Sequence, residues 1–222
     1  MKSFEDRFVL EEQLMNAAEL GDANKIIELD SKGIDVRLQG DYALRYSSAS
    51  GSLEAVKYLI NRGADVNALN GEPLIVSANA GHLEVVKHLV KKGADINVRN
   101  GEALYRSAQH NHTEVAKYLV WQGAKFCADS CSELIISANN GNLELVKFFI
   151  MSGAKQDRFG LPLFWAAKRG NLEVVKYLVE CGAQANFNCN EALKASIREG
   201  HTKVAKYLLE HGAELEISEV FK

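Results

Sequence analysis

The chain lacks any long apolar run. None of its apolar stretches approaches the roughly 20 residues that a transmembrane helix needs. Its first residues, Met1 to Arg7, are largely charged, whereas a secretory signal has an apolar core. We therefore expect a protein without a membrane partner.

Cysteine is scarce, with four residues in 222. Cys127 and Cys131 are four positions apart, and Cys181 and Cys189 are eight apart, so neither pair has the Cys-x-x-Cys spacing of a zinc site. Scattered free thiols are typical of a reducing compartment, and we expect a cytoplasmic protein.

Strong charge and catalytic motifs are also missing. The net charge of −3 excludes a chain that is basic throughout and binds nucleic acid with its whole surface. The sequence has no glycine-rich phosphate loop, His-Glu-x-x-His helix or nucleophile elbow. His110 and His112 have no third metal ligand nearby. The sequence therefore predicts a protein that is not an enzyme and has no cofactor or metal.

What the chain does contain is a repeat, marked by two series of turn residues. The first series is Gly21, Gly51, Gly81, Asn111, Gly141, Gly170 and Gly200. The second is Gly33, Gly63, Gly93, Gly123, Gly153, Gly182 and Gly212. Both advance by 30, 30, 30, 30, 29 and 30 residues, which indicates one helical unit copied seven times.

The third repeat shows how the unit is expected to fold. Pro73 stands where the first turn of a helix tolerates proline. Leu74, Ser77 and Ala78 place one large and two small side chains on one helical face. The turn that follows needs a positive φ, which glycine adopts freely and asparagine adopts next most readily, as at Asn111.

A second helix follows each turn. We expect the residue after the turn to cap this helix where it is Asp, Ser or Asn. A glutamate in the first turn and a lysine three positions later, such as Glu84 and Lys87, predict exposed ion pairs on a solvated outer face.

These residues resemble the ankyrin repeat, most closely in Gly81-His82-Leu83-Glu84-Val85-Val86-Lys87 and Gly63-Ala64-Asp65-Val66-Asn67. The resemblance implies an all-α fold, an α-solenoid of seven stacked ankyrin-type helix-turn-helix repeats. The usual unit has 33 residues, so a 30-residue unit predicts abbreviated β-hairpin fingers. Short repeats of this kind resemble the ankyrin arrays of giant DNA viruses, which would place the protein in the host cytoplasm or nucleus.

We therefore expect one domain, 1–222. It would comprise an N-terminal capping repeat, five internal repeats, and a C-terminal repeat with a tail, at 1–33, 34–63, 64–93, 94–123, 124–153, 154–182 and 183–222.

The resemblance also implies where a partner binds, because ankyrin partners usually dock on the concave face formed by the fingers and first helices. The predicted partner-binding residues are Asn79, Gln109, His110, Asn139, Asn140, Lys168, Arg169, Arg198 and Phe159. Trp121 and Met151 join this set because their equivalents in other repeats are polar. Local packing against Phe126 or Phe149 is the alternative for these two.

The leading interpretation is a monomeric, non-enzymatic scaffold for protein–protein interaction. One alternative is a binder of an anionic ligand or nucleic acid that uses the basic C-terminal end. Another is a regulatory fragment of a larger adaptor. The resemblance also implies that Asn67 and Asn97 are possible sites of asparaginyl hydroxylation.

Overall fold

The described residues of the computed structural model are 4–126 and 131–214, with side chains described outside 4–7 and 189. They fall into two compact units, which lie within Met1–Lys125 and Phe126–Lys222. All regular secondary structure in these residues is helical. None of the described helices is long and apolar enough to cross a membrane. The placement of all seven repeats in one domain stays a prediction.

The first unit contains four helix pairs. Their helices are α1 (Phe4–Leu20), α2 (Ala23–Ser31), α3 (Leu38–Ala49), α4 (Leu53–Asn61), α5 (Ala68–Asn79), α6 (Leu83–Lys91), α7 (Val98–Gln109) and α8 (Thr113–Trp121). The first helices of successive pairs pack against one another, and so do the second helices. The pairs therefore stack in chain order in two layers.

The second unit repeats this pattern with three pairs. Its helices are α9 (Ser132–Asn139), α10 (Leu143–Met151), α11 (Gly160–Lys168), α12 (Leu172–Glu180), α13 (Phe187–Arg198) and α14 (Thr202–Glu210). A short 3-10 helix, Gln156–Arg158, precedes α11. The predicted helix-turn-helix repeats are confirmed in both units.

The core of each repeat is built around one large side chain on each helix. In the third repeat these are Leu74 and Leu89, both fully buried, and the small residues Ser77 and Ala78 are fully buried beside them. The Ser77 hydroxyl donates to the Leu74 carbonyl at 3.0 Å, so its burial leaves no unpaired polar group. Small side chains at these positions let neighbouring helices approach closely.

The turns have the backbone conformation that the sequence predicts. Asn111 has φ +62° and Gly81 has φ +80°. Position 81 requires glycine for a second reason, because a Cβ atom there would lie 2.4 Å from Nδ1 of His112.

The residue after the turn caps the second helix in some repeats but not in others. Asp22 and Asn142 do cap their helices, accepting from the backbone amides of Lys25 at 2.9 Å and Leu145 at 3.0 Å. Ser52 instead donates to the Gly21 carbonyl at 2.8 Å. A serine hydroxyl can donate as well as accept, and here it donates to a carbonyl of the preceding repeat.

Histidine fills the same position and makes the same kind of connection. Nε2 of His82 lies 2.9 Å from the Ala49 carbonyl, and Nε2 of His112 lies 3.0 Å from that of Asn79. A carbonyl oxygen only accepts, so Nε2 is the protonated nitrogen in each ring. The histidines therefore tie consecutive repeats together across the ends of their first helices.

The fingers are short, as predicted, but they contain no β-strand in the described ranges. The chain instead passes through three consecutive left-handed residues, such as Leu69, Asn70 and Gly71, before the first helix begins its right-handed turns. A 30-residue unit leaves too few residues between the helices for a paired hairpin, and the left-handed turn reverses the chain in less length.

The sixth repeat has a different finger. Gly153 and Gly170 are 17 positions apart, whereas Gly63 and Gly81 are 18 apart, so the residue missing from the 29-residue repeat is lost here. The 3-10 helix Gln156–Arg158 replaces the left-handed turn, and Gly160 is not among the glycines with positive φ.

The outer face carries the predicted ion pairs. Nζ of Lys87 lies 2.6 Å from Glu84, and Nζ of Lys176 lies 2.9 Å from Glu173. These pairs are exposed to solvent, which screens their charges, so they contribute little to stability.

His88 gives a prediction about pH. Its half-buried imidazole stands where most repeats have an aromatic ring, and its Nε2 has no hydrogen-bond partner in the described part of the chain. Burial, followed by the charges of Lys92, Lys57 and Lys91, lowers the pKa of His88. The unfolded state therefore takes up a proton first, and the His88 contribution to stability is lost as pH falls through and below about 6.5.

His88→Phe should remove that loss while keeping a ring in place. We expect the free energy of unfolding in urea to fall less between pH 7.5 and pH 5 in this variant than in the wild type. His110→Phe, at an exposed position, is the control and should keep the wild-type pH dependence. An unchanged slope for His88→Phe would contradict the assignment.

Candidate partner-binding face

The candidate site is the exposed side of the first helices, here called the inner face. In the first unit its predicted members lie at the ends of α5 and α7. Asn79 and His110 are exposed, and Gln109 is half-buried and accepts from Nη1 of Arg106 at 3.2 Å. The His110 and His112 rings stack with centroids 6.3 Å apart. The described residues contain no group of three or more metal-ligating side chains.

In the second unit the predicted members lie at the ends of α9, α11 and α13. Nδ2 of Asn139 donates to Oδ1 of Asn140 at 3.0 Å, and Nε of Arg169 donates to Oδ1 of Asn139 at 3.1 Å. Nζ of Lys168 lies 5.0 Å from the centre of the Trp165 ring. The structure thus joins half-buried Asn139 and Asn140 and exposed Arg169 into one polar chain.

Arg198 extends this basic surface to the last repeat. It is exposed, and its Nε lies 3.8 Å from the Glu199 carboxylate. At this distance and exposure the pair is weak, so Arg198 remains open to a stronger anionic group.

Phe159 is a correction. The prediction placed it on an exposed finger, but it is only 2 % exposed and is among the largest fully buried side chains. The physical reason is the one-residue deletion in this finger, because the 3-10 helix turns the chain so that Phe159 enters the core. It cannot contact a partner.

Trp121 and Met151 lie in different units, and each is exposed at the end of a second helix. Trp121 is 67 % exposed and Met151 is 82 % exposed, so neither is a core residue. The aromatic residues of the alternative interpretation, Phe126 and Phe149, pack against each other with ring centroids 5.4 Å apart. A role for Trp121 and Met151 in partner binding stays a prediction.

Sequence reasoning missed a cationic aromatic cluster on the inner face of the first unit. The Tyr42 and Tyr46 rings stack at 4.1 Å, and the Arg45 guanidinium carbon lies 5.9 Å and 5.7 Å from their centres. Burial and then a hydrogen bond to Glu19 raise the pKa of the Tyr42 hydroxyl. Nε of Arg45 is buried with no hydrogen-bond partner among the described residues, and Arg45 and Tyr46 line a small cleft with Glu72.

It also missed an apolar patch on the inner face of the second unit. Leu161 is 51 % exposed, and the half-buried rings of Phe164 and Trp165 meet edge to face at 5.4 Å. A signal was present in the sequence, because the positions equivalent to Leu161 in three other repeats are Glu72, Glu102 and Glu191.

The two asparagines implied as modification sites connect repeats. Oδ1 of Asn67 accepts from the Asp95 amide at 2.9 Å, and its Nδ2 donates to the Gly93 carbonyl at 3.2 Å. Asn97 bonds Lys125 at 2.8 Å and Gly123 at 3.3 Å in the same way. Their hydroxylation stays a prediction.

Comparison with known proteins agrees with this architecture. The structure is similar to the ankyrin repeat domain of human ASB11, with a TM-score of 0.80 and 22 % identity, over 91 % of this chain and 99 % of that chain. No curated protein matches the sequence. The family model described as "Ankyrin repeats (3 copies)" matches residues 14–100, 69–130 and 134–219. With most of its length matched by this model, the chain belongs to the ankyrin repeat family.

Proposed function

We propose that this protein is a non-enzymatic scaffold that binds a protein partner on its inner face. Ankyrin repeats are generally protein-interaction modules. The observation that carries the proposal is the contrast between a constant frame and a variable surface. Turn residues and core leucines recur in the repeats, whereas the last positions of the first helices change from Asn79 to Gln109, Asn139, Lys168 and Arg198.

The polar chain of half-buried Asn139 and Asn140 and exposed Arg169 supports a protein partner in particular. Amide and guanidinium groups offer both donors and acceptors, which suits the mixed polar groups of a protein surface. The basic residues at this end favour an anionic ligand less strongly. The three cations at these helix ends, Lys168, Arg169 and Arg198, suit an acidic group of a protein, whereas nucleic-acid binding rests on several phosphate contacts.

The test is a fourfold variant, with Asn139, Asn140, Lys168 and Arg169 all changed to alanine. Interface residues of this kind contribute about 1 kcal/mol or more each when they are important, so we expect at least a tenfold weaker affinity for the partner. The partner would be found by affinity capture from the native cell and quantitative mass spectrometry. Its affinity would then be measured with purified proteins.

The matched control changes four outer-face residues, Glu84, Lys87, Glu173 and Lys176, to alanine. This variant should retain the partner, and both variants should keep the wild-type melting temperature within a few degrees. Equal capture by the two variants would refute the inner-face assignment. Binding of anionic polymers that weakens steeply with salt, without any protein partner, would favour the nucleic-acid alternative.

A further inference from the structure

A cavity of about 130 Å³ opens on the second unit between the starts of α11 and α13. Its apolar walls are Gly160, Leu161, Phe164, Phe187 and Ala192. An apolar cavity of about 150 Å³ is known to hold a benzene molecule, so the space here suits one aromatic ring or one branched aliphatic side chain.

One wall of the cavity is Phe187, which is larger than its equivalent in the first unit, Val98. Phe187 lies over Gly160 so closely that a Cβ atom on residue 160 would be 2.5 Å from its ring. Val98 lies over Gly71 in the same way in the first unit, also at 2.5 Å, but Val98 is buried, whereas Phe187 is exposed. The larger ring projects beyond the helix and forms a wall opposite Phe164.

Leu161 makes the opening apolar at a position that is glutamate in three other repeats, Glu72, Glu102 and Glu191. The equivalent Glu72 lies 3.0 Å from Nη2 of Arg99, and Glu102 lies 2.9 Å from Nη2 of Arg106. In the sixth repeat an exposed leucine takes the place of these paired carboxylates. Burying such a side chain against a partner is favourable in proportion to the apolar area removed from water.

The charges differ between the two ends of these helices. On the finger side Asp157 forms a weak, exposed pair with Arg158 at 3.8 Å, and the carboxylate that lines the cavity itself is Glu191. Lys168, Arg169 and Arg198 lie at the opposite ends of α11 and α13. Leu161 and Lys168 are seven residues apart on one helix, which corresponds to roughly 10 Å, or about three residues of an extended peptide.

From this complementarity we propose that the cavity anchors one bulky apolar side chain, aromatic or leucine, from an acidic segment of a protein partner. The acidic residues lie about three residues from the anchor, toward Lys168 and Arg198, and not on the side of Glu191. The inference deepens the proposed function and rests on it, because it names the chemistry that the inner face recognises.

The test uses a phage-displayed library of random peptides, selected on the immobilised full-length chain. We expect enriched peptides to share one Phe, Trp, Tyr or Leu, with Asp or Glu about three residues away on one side only. The best peptide would be synthesised and its Kd measured. Leu161→Glu should weaken it at least tenfold, and the double variant Lys168→Glu, Arg198→Glu should do the same and reduce the salt dependence of binding.

Two features keep this test specific. Glutamate is the residue that Glu72, Glu102 and Glu191 supply at the position of Leu161, so Leu161→Glu is compatible with the fold. Leu209→Glu is the matched control, because Leu209 is 42 % exposed in the same unit but lies on α14, and this variant should bind normally. The variant Trp121→Phe keeps Trp165 as its single tryptophan. Binding of a peptide that contains no tryptophan should therefore shift the fluorescence of Trp165.

The proposal is overturned if no peptide is enriched, if enriched peptides lack either the apolar or the acidic residue, or if Leu161→Glu binds them as the wild type does. It is also overturned if sedimentation shows that a second copy of the chain occupies the cavity, with a dimer that Leu161→Glu dissociates. The proposed function fails separately, when the fourfold alanine variant still captures the native partner.

Discussion

Gly81→Ala should lower the free energy of unfolding by about 3 kcal/mol, an unusually large loss for the addition of one methyl group. Part of the loss is the left-handed backbone, since Gly81 has φ +80°. The other part is steric, because the new Cβ atom would lie 2.4 Å from Nδ1 of His112. That ring cannot move away without lengthening the 3.0 Å contact of its Nε2 with the Asn79 carbonyl.

Gly93→Ala separates the two contributions. Gly93 has φ +93°, and a Cβ atom there would meet nothing within 4 Å, so only the backbone cost of about 1–2 kcal/mol remains. Urea unfolding of both variants gives the difference directly. Adding His112→Ala to Gly81→Ala should recover the steric part, in a double-mutant cycle. Equal losses for Gly81→Ala and Gly93→Ala would show that the histidine contact has no energetic role.

This result bears on what a sequence can predict. The spacing of the turns, the left-handed residue at Asn111 and the buried leucines all follow from sequence because each is a local requirement of backbone sterics or helical periodicity. The role of His82 and His112 does not. Periodicity locates these residues after the turn, but the carbonyl that each contacts belongs to the preceding repeat, 33 positions earlier.

The candidate site shows the same division. The sequence predicts the exposed ends of the first helices, such as Asn79 and Arg169, because their positions in the repeat fix their exposure. It fails at Phe159, since a count of residues locates the deletion between Gly153 and Gly170 but does not say which way the shortened finger turns. The sequence could have shown that Leu161 is unusual, because its equivalents Glu72 and Glu102 are charged. It could not have shown the cavity beside Leu161.

Phe149→Ala should have a large effect in the second unit, a loss of about 4 kcal/mol in the free energy of unfolding. Phe149 is fully buried at a position where other repeats have leucine, for example Leu119 and Leu178. Its ring contacts Phe126 and Phe148, with centroids 5.4 Å and 5.8 Å apart. Alanine would leave a cavity among these rings that the surrounding helices only partly fill.

Phe149→Leu separates the contribution of the ring contacts to stability from the contribution of the volume that the side chain fills. Leucine restores the residue of the other repeats and fills most of the space, so the loss should be about 1 kcal/mol, the size of an aromatic pair. Met151→Ala, at an 82 % exposed position on the same helix, should change stability by less than about 0.5 kcal/mol. Each repeat is stabilised by its neighbours, and α10 packs against α9 and α12. Phe149→Ala should therefore also lower the denaturant concentration at which these neighbouring helices unfold. A leucine variant as unstable as the alanine variant would mean that the aromatic cluster, and not the filling of the core, holds this unit together.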